Sequence, residues 1–588
     1  MLNQALKDQV VTRLLPLVQT PAQYVGGELG AVVKDHGRLR GKLCLAFPDA
    51  YTIGMSWHGL QVLYHLMNRR DDWACERVFA PGTDMEQLLR QHRVPLYGLE
   101  TFTPLPCFDV LGFTLQHELT YSNVLTILDL ARIPLLSADR TLEHPLVIAG
   151  GPCACNPEPM SRFIDLFAIG DGEETLPAVC EAWLRLRRSG GDRAAVLAAM
   201  AAELPSVYVP QCYQRDDGSL VPAIIQPAAV PDLDAVPVPT APIVPFVATV
   251  QDRITIEIMR GCPWRCRFCQ SRAIKWPVRL RRVETIVEAA WESYRNTGYE
   301  EVSLLSLSTS DYPHFAELMR RMQETFRPLG VGISVPSLRI NEQLRTISEL
   351  LSTDRHSGLT LAPEAAREEL RRQIGKTIRN DDLYEGCRSA FQQGFHRVKL
   401  YFMCGLPGEQ PVDLDAMIDM AETIARLGKE LRGRPVTVVV NVSNFLPKPH
   451  TPYERFAVQR REYFHGAHAH LRRRRTLRSV QVKCHDVEAS LLEAALARGD
   501  RRVGAAIEIA WRRGARFDSW SDRFQPELWW LALSEAGIDA EQLLHRAYPD
   551  DARLPWEHIG VRVQGSEPGR VGPARVQDSR QNTVDGRQ

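Results

Sequence analysis

The stretch Met259-Arg-Gly-Cys-Pro-Trp-Arg-Cys-Arg-Phe-Cys-Gln270 decides how this chain is read, and it closes an alternating apolar run, Ile254-Thr-Ile-Glu-Ile258. Alternation predicts a strand, so Cys262, Cys266 and Cys269 share one tight loop at a strand end. Three thiolates at x3 and x2 spacing can face one point and suit a soft metal centre. Structural zinc takes four protein ligands, and no second close cysteine pair follows nearby. An iron–sulfur cube held by three cysteines leaves one iron open to a small molecule, which suits reaction more than scaffolding.

The 588 residues are 44% hydrophobic and 24% charged, with 71 Lys+Arg against 71 Asp+Glu. That is chain enough for about three domains, and the charge balance points neither toward nucleic acid nor away from it. No apolar run approaches the ~20 residues of a membrane helix. The opening residues lack the basic-then-apolar pattern of a secretory signal. Thirteen cysteines, scattered apart from the central three, read as mostly free thiols in a reducing compartment. The expected location is the cytoplasm.

Toward the N-terminus, Lys42–Pro48, Asp109–Leu115, Pro145–Gly151 and Leu166–Gly170 are short apolar runs, with helical spacing near 55–68, 84–91 and 120–133. Strands alternating with helices predict an α/β domain, a Rossmann-like parallel sheet covered on both faces, over residues 1–204. Gly150-Gly-Pro152 and Gly170-Asp-Gly-Glu-Glu174 fall at strand C-terminal ends, where such sheets bind ligands. Cys44, Cys75 and Cys107 read as structural thiols, Cys44 lying mid-strand in an apolar run. Nine prolines between Pro205 and Pro245 make residues 205–250 a stiff connector.

Residues 251–455 repeat strand then helix. Strands are expected at 254–260, 302–308, 331–338, 358–363, 398–404 and 436–442, with helices near 283–297, 313–327, 341–352, 381–393 and 412–431. Six units predict a partial (β/α)6 barrel with its chemistry at the C-terminal strand ends. Those ends carry Leu305-Ser-Leu-Ser-Thr-Ser310, Ser337-Leu-Arg339, Leu361-Ala-Pro-Glu364 and Gly405-Leu-Pro-Gly-Glu409. On the same rim, Lys448 and His450 are expected either to touch an anionic substrate or to face water. Residues 456–560 read as a mainly helical region whose Trp511, Trp520, Trp529, Trp530 and Trp556 belong to a core. It contains a basic segment, Arg460–Arg475, suited to phosphates or to a solvated face. Residues 561–588 turn polar and are expected to be disordered.

The Cys262–Cys269 loop, with Phe268 before its last cysteine, resembles the signature of radical S-adenosylmethionine (radical SAM) enzymes. With Ser306–Asp311, Leu361–Glu364, Gly405–Glu409 and Asn444–Pro452, the chain from about Tyr24 to Ile559 is similar to a poorly characterised radical SAM group with an N-terminal cobalamin-binding-like domain. The resemblance implies a 4Fe-4S cluster on Cys262, Cys266 and Cys269, whose open iron takes the amino and carboxylate groups of S-adenosyl-L-methionine. It implies further contacts to that cofactor: Ser308 at the methionine end, Arg339 to the carboxylate, Glu364 to ribose or amino group, Gly405 and Phe268 to adenine. An electron donor such as flavodoxin or ferredoxin would reduce the cluster, and cleavage would give methionine and a 5′-deoxyadenosyl radical.

The reaction implied is methyl or methylthio transfer to RNA or protein, with RNA contact through Arg460–Arg475. Rearrangement or oxidation of a small metabolite is the alternative, and a non-catalytic Fe-S scaffold for a companion protein is the third. Members of the group are often fused to or encoded beside a small companion domain, which a separate protein would supply here. The Asp-x-His-x-x-Gly motif of cobalamin domains is absent. Asp49-Ala-Tyr-Thr-Ile-Gly54 lacks its histidine and His58 falls on the next helix, so cobalamin would bind without a protein ligand to cobalt.

Overall fold

The computed structural model describes residues 2–213, 224–336 and 358–562, with the backbone of 571–572. Its first sheet contains β1 (Gly41–Phe47), β2 (Trp73–Phe79), β3 (Val110–Thr114), β4 (Leu146–Gly150), β5 (Leu166–Ala168) and β6 (Val207–Tyr208). The order is β2-β1-β3-β4-β5-β6. The first five strands are parallel and β6, supplied by the proline-rich segment, is antiparallel to β5. Helices His58–Asn68, Thr83–Gln91 and Tyr121–Leu130 match the helical spacings read from sequence.

The strand β2 has no counterpart in the apolar runs because its middle is Glu76-Arg77, yet all seven residues are buried. Arg77 is 0% exposed, held by Glu28 at 2.8 Å and Glu100 at 2.6 Å. The Thr101 hydroxyl donates to Glu76 at 2.6 Å, and His36 lies 2.7 Å from the same carboxylate. Burial of a charge is tolerated only when it is paired and hydrogen-bonded. Here the pairing is complete enough to give a charged segment a buried strand position.

The central strands form two sheets. One has order β11-β10-β7, from β7 (Ile254–Glu257), β10 (Glu301–Leu305) and β11 (Gly332–Ser334). A hairpin of β8 (Met259–Arg260) and β9 (Arg279–Leu280) brackets the cysteine loop. The other sheet has order β12-β13-β14-β15, from β12 (Leu359–Glu364), β13 (Arg397–Cys404), β14 (Thr437–Asn444) and β15 (Val480–Cys484). All pairings within these two sheets are parallel. They are the two arcs of the partial barrel. The expected helix 341–352 and the end of the third strand lie outside the described residues.

The seventh strand, β15, is an addition to the six units expected. Its crossover is helix Arg461–Arg474, the basic segment, so the strand-and-helix pattern runs past residue 455. Valines at 480 and 482 alternate with Gln481 and Lys483, a pattern too short to stand out from a charged neighbourhood.

One contiguous core joins the first sheet, the β12–β15 arc and the C-terminal helices, while the β7–β11 arc packs around its own core of Ile254, Ile256, Val302, Leu304, Leu318 and Met322. Helices Val487–Arg498 and Val503–Arg512 make the junction. Trp511 Nε1 donates to Thr126 of the first domain at 3.0 Å. Trp511, Trp529 and Trp556 are buried, as a core role requires, and Trp530 is half-buried, but Trp520 is 36% exposed at the face of the first sheet, which corrects the expectation for that residue. Among the described residues, no helix is long and apolar enough to cross a membrane.

Candidate active site

The three cysteines sit where β7 and the β8–β9 hairpin deliver them, each half-buried, whereas Cys44, Cys75, Cys153, Cys155, Cys180, Cys387 and Cys404 are buried. Burial pushes the Cys262 thiol up; the neighbouring Cys269 and Cys266 push it further, against a backbone donor at Trp264. Cys269 is raised by burial, with Cys266 and Glu364 adding to the effect. Crowded thiols that resist ionisation together are what a cationic cluster stabilises as thiolates. The donor set therefore fits an iron–sulfur cluster.

Backbone contacts fix the loop. The Arg267 N–H donates to the Ile374 carbonyl at 2.8 Å. Gly375 has φ +73°, and a Cβ there would stand 2.6 Å from the Arg265 carbonyl oxygen. Only glycine permits both that φ and that approach. On the other side Trp264 Nε1 donates to Asp311 at 2.6 Å, which also accepts from the Ser308 hydroxyl. The loop is thus tied to the turn after β10 and to the segment that follows helix Glu368–Gln373 beyond β12.

The remaining expected contacts distribute as follows. Glu364 ends β12 at a register shift, with φ +66°, and pairs with Lys376 at 2.9 Å. Its charge reaches the Cys269 thiol. Ser308 is buried and faces Asp311. The Phe268 ring packs against an apolar group that includes Leu370, Ile374, Met403 and Tyr453. Gly405 has φ +87°; its N–H donates to Glu409 and a Cβ would meet Phe464 at 2.8 Å. Its glycine is required by the protein's own packing. Arg339 lies outside the described residues.

The rim loop after β14 corrects an expectation, because Lys448 and His450 face neither open solvent nor a substrate space. The Lys448 ammonium lies 2.8 Å from both Glu118 and Glu493. His450 Nε2 donates to the Cys155 carbonyl at 2.9 Å. Burial drives the His450 imidazole down to about 4, so it is neutral at pH 7.

Sequence reading missed the seam that backs the cysteine loop. Gln270, next to Cys269, donates to Cys155 Sγ at 3.1 Å. Asp171 of the Gly170-Asp-Gly turn pairs with Arg260 at 3.3 Å and with Arg279, while Arg260 also holds Glu173 at 2.6 Å and Glu257 at 2.7 Å. That turn was expected to meet a ligand; it clamps the hairpin around the loop instead. The signal available in sequence was the arginine at each end of the hairpin.

In a sheet of order 2-1-3-4-5 the ligand crevice lies at the switch point between β1 and β3. Here the chain's own residues fill it. Trp520 Nε1 donates to Asp49 at 2.8 Å and Ser519 to the same carboxylate at 3.2 Å. Asn123 donates to the Pro48 carbonyl at 3.0 Å and accepts from the Phe517 N–H at 3.0 Å. His58 lies at the seam with the barrel, where charges of Glu257 and Arg260 reach it. These bonds engage the polar groups at the β1 end, while Trp520 itself is 36% exposed, so a corrin would sit against the indole and not on a ligand from Asp49–Gly54. Cys44 and Cys75 are buried in adjoining strands and Cys107 is exposed.

A parallel barrel with a three-cysteine loop at a strand end defines a cluster-bearing enzyme of the barrel class. The family described as radical SAM proteins, N-terminal, matches residues 59–210, and the radical SAM superfamily matches residues 256–421. The chain thus carries radical SAM domains over both stretches, and enzymes of that superfamily use a 4Fe-4S cluster and S-adenosyl-L-methionine.

An uncharacterized protein of Methanocaldococcus jannaschii is 27% identical over 426 residues, 72% of this chain and 84% of that one. An uncharacterized methyltransferase of Pyrococcus horikoshii is 21% identical over 327 residues, 54% of this chain and 64% of that one. The ribosomal protein uS12 methylthiotransferase RimO of Prochlorococcus marinus is 21% identical over 178 residues, 28% and 38%. Among solved structures, the radical SAM methyltransferase TsrM of Kitasatospora setae with cobalamin and cluster bound gives a TM-score of 0.49 at 16% identity, covering 70% of this chain and 74% of that one.

Proposed function

We propose that Cys262, Cys266 and Cys269 hold the cluster and that Glu364 and Ser308 help seat S-adenosyl-L-methionine beside it, for methyl transfer to a substrate in the barrel with a second S-adenosyl-L-methionine as methyl donor, or methylthio transfer with sulfide as the added sulfur source. The bound cluster and cofactor supply a 5′-deoxyadenosyl radical on one-electron reduction. The chain's part is to hold the loop, place a carboxylate for the cofactor's ammonium, and keep water out. The carrying observation is that one loop bearing three half-buried thiols is tied to the ends of both arcs, with Glu364 within electrostatic reach of Cys269. Two relatives, named as a methyltransferase and a methylthiotransferase, support the reaction class.

A small-molecule substrate is favoured over RNA by the basic helix. Arg461 pairs with Glu488, Arg460 with Glu541, and Arg474 with Asp415 and Asp419. Arginines neutralised in this way contribute little to phosphate binding, which leaves Arg472, Arg473 and Arg475 as the segment's exposed cations with no ion pair among the described residues. The test is anaerobic reconstitution followed by iron and sulfide counting and 5′-deoxyadenosine analysis under dithionite. Wild type is expected to show four irons per chain and to release 5′-deoxyadenosine; the Cys262→Ala, Cys266→Ala, Cys269→Ala triple variant is expected to show neither. A full cluster in the triple variant would sink the assignment.

A further inference from the structure

The β12–β15 arc has two unlike faces. Val398, Leu400 and Phe402 of β13, Val438, Val440 and Val442 of β14, and Val480 of β15 are buried against helices. Alternation sends their neighbours to the other face, the barrel interior. There the register aligns Tyr401, Asn441 and Lys483 in one row, with Lys399 one step below on β13. The Lys399 ammonium stands 4.8 Å from the Tyr401 ring centroid.

Three observations bear on what this row does. Lys399, half-buried, and Lys483, exposed on the edge strand β15, make no ion pair among the described residues. The acids on inward strand positions, Glu257 and Glu364, already hold Arg260 and Lys376. Asn441 is 9% exposed, and its Nδ2 is buried without a hydrogen-bond partner among the described residues. A buried donor without an acceptor is uncommon in a finished structure and calls for an explanation. Two cations beside an unused amide donor make a set rich in donors, and their charge is met by no acid among the described residues, so an anion is the ligand it suits best.

We propose that Lys399, Asn441 and Lys483 bind the anionic group, carboxylate or phosphate, of a small-molecule substrate in the barrel. This rests on the radical SAM reading above and adds to it the substrate class. The anion would accept from Asn441 Nδ2 and from both ammoniums, anchoring the substrate at mid-strand. The cluster loop lies at the C-terminal strand ends above it. Two ammoniums on β13 and β15, either side of β14, select charge, and the Asn441 amide on β14 selects position.

The test is equilibrium dialysis of the reconstituted, anaerobic protein against labelled inorganic phosphate and, separately, labelled succinate. Wild type is expected to retain at least one of them, phosphate assigning a phosphoryl group and succinate a carboxylate. The Lys399→Met, Lys483→Met double variant is expected to bind about tenfold or more weakly, and Asn441→Asp to lose binding by placing an acid there. Arg473→Met, on the outer helix, is expected to match wild type. Equal binding in the double variant overturns the proposal, as does failure of wild type to retain either anion at about 10 mM. Should Asn441→Asp fail to fold, the lysine variant still decides. Release of 5′-deoxyadenosine by wild type is measured on the same preparation. Its absence would count against the radical reading, while anion retention is read independently by dialysis.

Discussion

Lys448 and Glu118 meet at 2.8 Å across the seam between the barrel rim and the first sheet, with Glu493 completing the site at the same distance from the ammonium. Lys448 is 18% exposed and Glu118 8%. Burial works to raise the Glu493 carboxyl, and the ammonium overcomes it, holding the carboxyl below its ordinary range. A depressed folded pKa contributes stability above the unfolded value, near 4.3, that is lost as pH falls through the folded one. Lys448→Met leaves Glu118 and Glu493 with His117, 3.4 Å from Glu493, as their remaining partner, a loss of about 3 kcal/mol. Thermal unfolding is expected to shift down by about 5–10 °C at pH 7. The variant should gain stability between pH 7 and pH 5, because its uncompensated carboxyls then have raised pKa values. Matching midpoints for wild type and variant at both pH values would discard the clamp.

Gly375 offers a way to disturb the cluster without touching a ligand. Its φ of +73° and the 2.6 Å approach to the Arg265 carbonyl mean that Gly375→Ala must push the loop away. The expected outcome is a chain that folds, keeps all three cysteines and takes up less iron and sulfide than wild type. Chemical iron and sulfide counts and the visible absorbance of the reconstituted protein decide it. Full occupancy would show that the loop position is not set by this contact.

How much was legible follows from what each residue's role looks like in one dimension. The three cysteines were visible because ligand spacing is local, and the apolar strands because burial repeats with a period of two. β2 was invisible because Glu76-Arg77 are buried through partners at Glu28 and Glu100, far off in sequence. The seventh strand was hidden by Gln481 and Lys483 on its inward face. Lys448 and His450 gave no local hint of their partners, Glu118 and Cys155, some 300 residues away. The C-terminal region read correctly as helical. That its residues 517–520 would fill the switch point of the first sheet is a tertiary fact with no sequence period to announce it.

Glu364 and Lys376 make opposite predictions for the cofactor. The carboxylate is held 2.9 Å from the lysine, so an incoming ammonium has to share or displace that partner. Glu364→Gln keeps the shape and removes the charge, and a charge-assisted hydrogen bond is worth about 1.5–3 kcal/mol. Binding of S-adenosyl-L-methionine is therefore expected to weaken about tenfold to a hundredfold. Lys376→Met frees the carboxylate and is expected to bind as tightly as wild type or tighter. Isothermal titration of the reconstituted proteins reads both. Equal weakening by the two variants would mean that the pair acts only in folding.

Asp49 and Trp520 carry the last prediction, which concerns cobalamin. Burial raises the Asp49 carboxyl despite donors from Trp520, Ala50 and Ser519, so the group is held inside the crevice at some cost. Trp520→Phe keeps the ring and removes the indole N–H, and is expected to destabilise the fold by about 1–3 kcal/mol, read by urea unfolding. Because Ser519, Trp520 and the Phe517 backbone occupy the acceptors at the end of β1 and on the helix after β3, wild type is expected to pass through gel filtration without retaining hydroxocobalamin. Iron content and 5′-deoxyadenosine release should be the same with or without added corrinoid. One corrinoid retained per chain would show that it binds away from the switch point or displaces residues 517–520. Corrinoid retention by the Trp520→Phe variant would then distinguish those two cases, since only displacement is eased by loss of the indole hydrogen bond to Asp49.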